Sequence, residues 1–199
     1  TGACVASAAR LLADRSHRVL IVGAGRVGYY SGLYVCALGN TSHLQVADTD
    51  RSRADRAATL LASDFPEIDI SVAGADSDDT DFDIVILATD SRDTIYGDQS
   101  SLPALTISVG ADTHWQHEIT HRQLSRSHIY VDTRDSFNCG DLKHAISADS
   151  LDTSKITDLF TLLREGKQAG DSPSLFISTG SALFDNLSIE YILGMAARI

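Results

Sequence analysis

Two hydrophobic rhythms alternate along the chain. Val19 to Val22, Asp83 to Thr89, Leu105 to Val109 and His128 to Val131 are short, almost unbroken apolar runs, the pattern of parallel strands buried on both faces. Leu44 to Ala47, the alternating Ile68 to Val72 and Leu175 to Ile177 add shorter strands. Between them, residues 3–14, Tyr29 to Leu38 and Ser52 to Ser63 carry apolar positions at helical spacing; Ala54, Ala57, Ala58, Leu61 and Ala62 make the clearest stripe. Pro66 closes that region, and the acidic stretch Asp76 to Asp83 reads as a solvated turn. Further on, Ile156 to Arg164 is predicted helical, Glu165 to Pro173 a loop, and Ala182 to Ala197 a closing helix. Strands alternating with helices predict an α/β fold, a mostly parallel sheet with helices on both faces.

The first strand runs directly into Gly23-Ala24-Gly25-Arg26-Val27-Gly28, a complete GxGxxG that opens a helix. The first glycine suits a tight turn, the second lets backbone approach a pyrophosphate, and the third lets helix and strand pack closely. The helix N-terminus then offers unpaired N–H groups and a positive dipole end to phosphates. About twenty residues on, Asp48 ends the second strand with Thr49 beside it, where a carboxylate can accept from adenosine ribose hydroxyls and repel a 2′-phosphate. These residues predict a Rossmann-type, doubly wound domain that binds NAD in preference to NADP, with Arg51 and Arg53 as the counter-signal. In the strand order 3-2-1-4-5-6, residues 128–131 form the sixth strand, and the end of the fourth lies across the switch point from the glycine loop. Thr89, Asp90 and Ser91 are thereby placed at the cofactor. The fifth strand brings Val109 and Gly110 to the same edge and is followed by Asp112; the sixth is followed by Asp132.

At 199 residues the chain suits one full-sized domain. A formal net charge of −11 argues against nucleic acid and anionic membrane as partners. The absence of a long apolar stretch or signal peptide leads us to expect a soluble, cytoplasmic protein. Cys4, Cys36 and Cys139 lack metal or disulfide spacing and read as small buried apolar residues. No metal site is expected.

Several blocks together resemble the ornithine cyclodeaminase and μ-crystallin family: Val22-Gly23-Ala24-Gly25, Val109-Gly110-Ala111-Asp112 with Glu118 six places on, Val131-Asp132-Thr133-Arg134, Gly140-Asp141-Leu142, Leu162-Leu163 with Gly166, and Phe176-Ile177-Ser178-Thr179-Gly180-Ser181-Ala182 with Asp185. The resemblance implies a connecting helix over residues 1–15, an NAD-binding Rossmann domain over 16–180, and a closing helix over 181–199. It also implies a substrate and dimerisation domain, built from residues that precede these, so that the isolated chain is expected to lack turnover. By resemblance, Asp112 is the acid/base in oxidation or cyclising deamination of a small α-amino acid, Ser178, Thr179 and Gly180 line the cofactor cleft, and a homodimer is an expected assembly. Where cyclodeaminases usually carry Pro-Gly-Lys, this chain has His114-Trp115-Gln116. Loss of that cation makes an amino-acid dehydrogenase or imine reductase fit as well as a cyclodeaminase.

Other readings compete. His117-Glu118-Ile119-Thr120-His121 is a literal HExxH, which on a helix would put two zinc-ligating histidines on one face. It falls, however, in a short crossover, and Glu118 already matches a family glutamate. Asp112, without the resemblance, reads as a helix cap. Asp135, Asp141, Asp149 and Asp152 read as surface caps and turn residues, and Trp115 as a wall of the cleft, a domain contact or, equally, a buried core residue. A non-catalytic NAD-sensing domain is the alternative from a different class, because GAGRVG also resembles the NAD-binding domains of potassium-uptake regulators.

Overall fold

The protein is described by a computed structural model covering residues 1–74, 82–111, 113, 115–148, 150–168 and 170–196. Its centre is one sheet of eight strands: β1 (Arg18–Val22), β2 (His43–Ala47), β3 (Asp69–Val72), β4 (Ile84–Leu87), β5 (Leu105–Ser108), β6 (His128–Val131), β7 (Thr157–Asp158) and β8 (Ser174–Ile177). All pairings are parallel, and the spatial order is β3-β2-β1-β4-β5-β8-β6-β7. The doubly wound α/β fold expected from the alternation is thus present.

The order departs from 3-2-1-4-5-6 at one place. Residues 174–177 insert between β5 and β6, so the 128–131 strand stands seventh rather than sixth. Every residue of β8 is buried, which demands a neighbour on each edge as well as cover on each face.

Period-two alternation divides the strand side chains between two cores. Val19, Ile21, Leu44, Val46, Ile84, Ile86, Ile107 and Phe176 face the helices α1 (Gly2–Leu12), α2 (Arg26–Leu38), α3 (Arg51–Asp64) and α6 (Leu159–Glu165). Leu20, Val85, Leu87, Ile129, Val131 and Ile177 face Leu124 of α4 (His121–Arg126) and Leu142 and Ala145 of α5 (Gly140–Ser147). The N-terminal helix belongs to the first core, since Val5, Ala6, Ala8, Ala9 and Leu12 are all buried.

Element boundaries shift where a local interaction outweighs propensity. The helix expected over 156–164 starts only at Leu159, because Thr157 and Asp158 pair with Tyr130 and Val131 and the Asp158 carboxylate caps Thr161 N–H. Within the acidic stretch 76–83, residues 76–81 lie outside the described residues. The closing helix α7 (Ala182–Ala196) leaves Leu187, Ile189, Tyr191, Leu193 and Met195 at least half exposed. No helix among the described residues is long and apolar enough to cross a membrane.

Candidate cofactor site

Register brings the predicted site to one edge. Val22 pairs with Ala47 on one side and Leu87 on the other, Leu87 with Ser108, Ser108 with Ile177, and Ile177 with Val131. The ladder continues one residue beyond the strand ends: Gly23, Ala88, Val109, Ser178 and Asp132 each donate a backbone N–H to the terminal residue of a neighbouring strand. Residues scattered from 23 to 178 therefore stand in a row at the carboxyl edge, where open α/β sheets bind ligands.

The three motif glycines have three separate causes. Gly23 has φ +103°, and a Cβ there would overlap the carbonyl oxygen of Ala88. A Cβ on Gly28 would overlap the Gly23 carbonyl, so close passage of helix over strand requires glycine. Gly25 is different: its φ is −71° and a Cβ would meet nothing within 4 Å. No protein atom demands glycine there, and the room lies over the N-terminus of α2. That helix has thirteen residues, and no side chain caps its first turn. Open space, glycine backbone and free N–H groups suit a pyrophosphate.

Asp48 faces this loop. Its Oδ2 accepts from Ala24 N–H at 2.7 Å and its Oδ1 from Asp50 N–H at 2.8 Å, so the carboxylate also holds the glycine loop in shape. Thr49 and Asp90 are exposed at the rim. Arg51 pairs with Asp55 and Arg53 with Asp50, both along α3, so the two cations that favoured a 2′-phosphate have acidic neighbours of their own.

Across the switch point, Glu118 is completely buried. Its Oε1 accepts from Thr89 N–H and Thr89 Oγ1 at 2.7 and 2.8 Å, its Oε2 from Ser108 Oγ and Gly110 N–H at 2.9 and 3.1 Å. Burial raises its pKa above the usual glutamate value against the opposing pull of these donors. Asp141, expected as a surface cap, is instead buried: its Oδ1 accepts from Glu118 N–H and Ile119 N–H at 3.0 and 3.1 Å. Its Oδ2 has no hydrogen-bond partner among the described residues, and burial pushes its pKa up to about 6. Sequence reasoning missed this carboxylate because a polar residue opening a helix normally faces water.

Asp112 lies outside the described residues, as do His114 and Asp149. The turn after Asp112 is braced by Gln116, whose Oε1 accepts from Thr113 N–H and Thr113 Oγ1 at 3.1 and 2.6 Å. Trp115 is half exposed. The HExxH spacing does not fall on a helix, since residues 117–120 form only an isolated parallel bridge between Ile119 and Tyr96, and α4 begins at His121. Glu118 in that motif points to the strand ends rather than outward.

Ser178 and Gly180 belong to a second carboxylate knot. Asp132 accepts from Thr133 N–H and Ser136 Oγ on Oδ1, and from Ser178 Oγ and Gly180 N–H on Oδ2, at 2.7 to 3.1 Å. Thr179 Oγ1 lies 3.0 Å from Ser136 Oγ. The tail segment thus reaches the carboxyl edge beside β5, with its Ser178 hydroxyl directed to Asp132. Asp152 caps a 3-10 turn, as its sequence context predicts. Of the cysteines, Cys36 is buried and its thiol is pushed up to about 12, while Cys4 and Cys139 are half-buried.

The sequence model of the ornithine cyclodeaminase/mu-crystallin family matches residues 1–197. No curated protein matches the chain by sequence. Among solved structures, the iminosuccinate reductase of Paracoccus denitrificans in complex with NAD+ is similar with TM-score 0.86 at 18% identity over 99% of this chain and 62% of its own. A lysine cyclodeaminase gives TM-score 0.84 at 24% identity over 99% and 58%. The Thermococcus litoralis Delta(1)-pyrroline-2-carboxylate reductase, in complex with NADH and L-proline, gives 0.78 at 22% over 90% and 58%. The chain therefore spans about three fifths of the length of these structures, and at such identities the likeness establishes the fold.

Proposed function

The chain belongs to the ornithine cyclodeaminase/mu-crystallin family, and from that premise we propose that it is the NAD-binding domain of an oxidoreductase or deaminase acting on a small α-amino acid. The observation that carries the reading is Gly25, a glycine required by no neighbouring protein atom, at the uncapped N-terminus of α2 and beside the Asp48 carboxylate. The backbone of residues 24–28 would hold the pyrophosphate, Asp48 the adenosine ribose, and Thr89, Val109 and Gly110 the nicotinamide side. NAD, when bound, supplies the hydride acceptor.

Asp112, two residues beyond Gly110, is the group we assign to proton exchange with the substrate amine. The α-amino acid and the homodimer expected from the resemblance belong to the same proposal. Gln116 favours an amino-acid dehydrogenase or imine reductase over a strict cyclodeaminase, because its amide oxygen accepts from Thr113 and its side chain supplies no cation. Calorimetric titration with NAD and NADP tests the cofactor. NAD binding, weakened about tenfold by Asp48→Asn, is the expected result, and no binding of either dinucleotide would overturn the reading.

A further inference from the structure

We propose that Glu118 is a positioning residue for the nicotinamide side of the cleft, setting the distance between the backbone turns that follow β4 and β5. The inference rests on the NAD-binding reading above. Thr89 and Gly110 offer backbone N–H groups, Thr89 and Ser108 hydroxyls, and all four converge on the two oxygens of Glu118. A carboxylate accepts on both oxygens. An amide in its place turns an NH2 toward one pair, and against the Gly110 N–H this is donor facing donor.

Glu118 is itself held firmly. Its N–H and that of Ile119 donate to Asp141, its carbonyl accepts from Ile95 and Tyr96 N–H, and His117 N–H donates to the Ser91 carbonyl. The segment is pinned from α5 on one side and from residues 91–96 on the other, with the carboxylate aimed at the strand ends between them.

The gap that it spans is narrow. A Cβ on Gly110 would overlap the Thr89 carbonyl and come within 2.6 Å of Thr89 N and of Glu118 Oε1. The β4 and β5 turns therefore meet backbone to backbone, an approach that only glycine allows and that Glu118 bridges from one side. Thr89 and Gly110 are the residues assigned to the nicotinamide half, and Asp112 follows Gly110 by two. No oxygen of Glu118 contacts the pyrophosphate loop or Asp48; the turn it holds meets that loop only where Ala88 and Thr89 pass Gly23, and the adenosine half has the hydrogen bonds of Asp48 as its own support.

Separate support makes the test a comparison of two ligands. NADH and ADP-ribose, which lacks the nicotinamide, are titrated into the wild-type chain, Glu118→Gln and Ser108→Ala, with bound dihydronicotinamide emission as a second readout. Expected are NADH affinity about tenfold weaker for Glu118→Gln and about threefold weaker for Ser108→Ala, with ADP-ribose affinity within about twofold of wild type. The emission change on binding should shrink in the same order. Parallel loss of both ligands, or unchanged NADH binding and emission in a folded variant, would overturn the proposal; if Glu118→Gln does not fold, Ser108→Ala decides. A wild-type chain that binds ADP-ribose as tightly as NADH, without an emission change, removes the positioning role and leaves the NAD-binding reading standing. A chain that binds neither ligand removes both.

Discussion

Ser178 Oγ donates to Asp132 Oδ2 at 2.7 Å, joining the end of β8 to the end of β6 across 46 residues of sequence. Asp132 is 5% exposed and receives three further donors, two of them backbone N–H groups. Removing the acceptor leaves four donors without it, the buried hydroxyls of Ser136 and Ser178 among them, whereas removing one hydroxyl costs a single bond. Asp132→Ala is expected to destabilise the fold by about 3 kcal/mol and Ser178→Ala by about 1 kcal/mol, measured by urea unfolding.

The glycines give a sharper contrast. Gly28→Ala forces a methyl into the Gly23 carbonyl and should lower the melting temperature by several degrees. Gly25→Ala meets no protein atom and should change stability by less than about 1 kcal/mol, yet weaken NAD binding by about tenfold or more. Calorimetry on the two variants separates a glycine kept for packing from one kept for a ligand.

Asp141 makes stability depend on pH in an unusual direction. Its folded-state pKa stands near 6 against an ordinary 3.8, so the folded chain keeps this proton to higher pH than the unfolded chain. The contribution is fully present below about pH 4 and lost as pH rises through about 6. Burial shifts Glu118 in the same direction. Relative to Asp141→Asn, which can still accept from Glu118 and Ile119, wild-type stability should therefore fall between pH 4 and 6, by up to about 3 kcal/mol. Unfolding curves of the two proteins across that range check the sign.

Gln116 offers a test of the turn next to Asp112. Gln116→Lys replaces an acceptor with a donor and leaves Thr113 N–H and Oγ1 without their shared partner. A loss of about 1 kcal/mol is expected in thermal or urea unfolding, while Gln116→Glu, which keeps the acceptor, should lose less.

The amino-acid sequence by itself determined the strand–glycine–helix unit, the acid at the end of β2 and the family. Each of these signals is local: a buried strand needs an apolar run, and a turn with φ +103° needs glycine. Only the tertiary structure decided where β8 sits, because a four-residue apolar run does not state its neighbours. Tertiary structure likewise turned Asp141 from a presumed surface cap into a buried acceptor and sent the Glu118 of HExxH inward, since both depend on contacts between residues more than twenty positions apart. Backbone donors at the ends of parallel strands must be satisfied where water is scarce, and which carboxylate reaches them is settled by packing rather than by spacing.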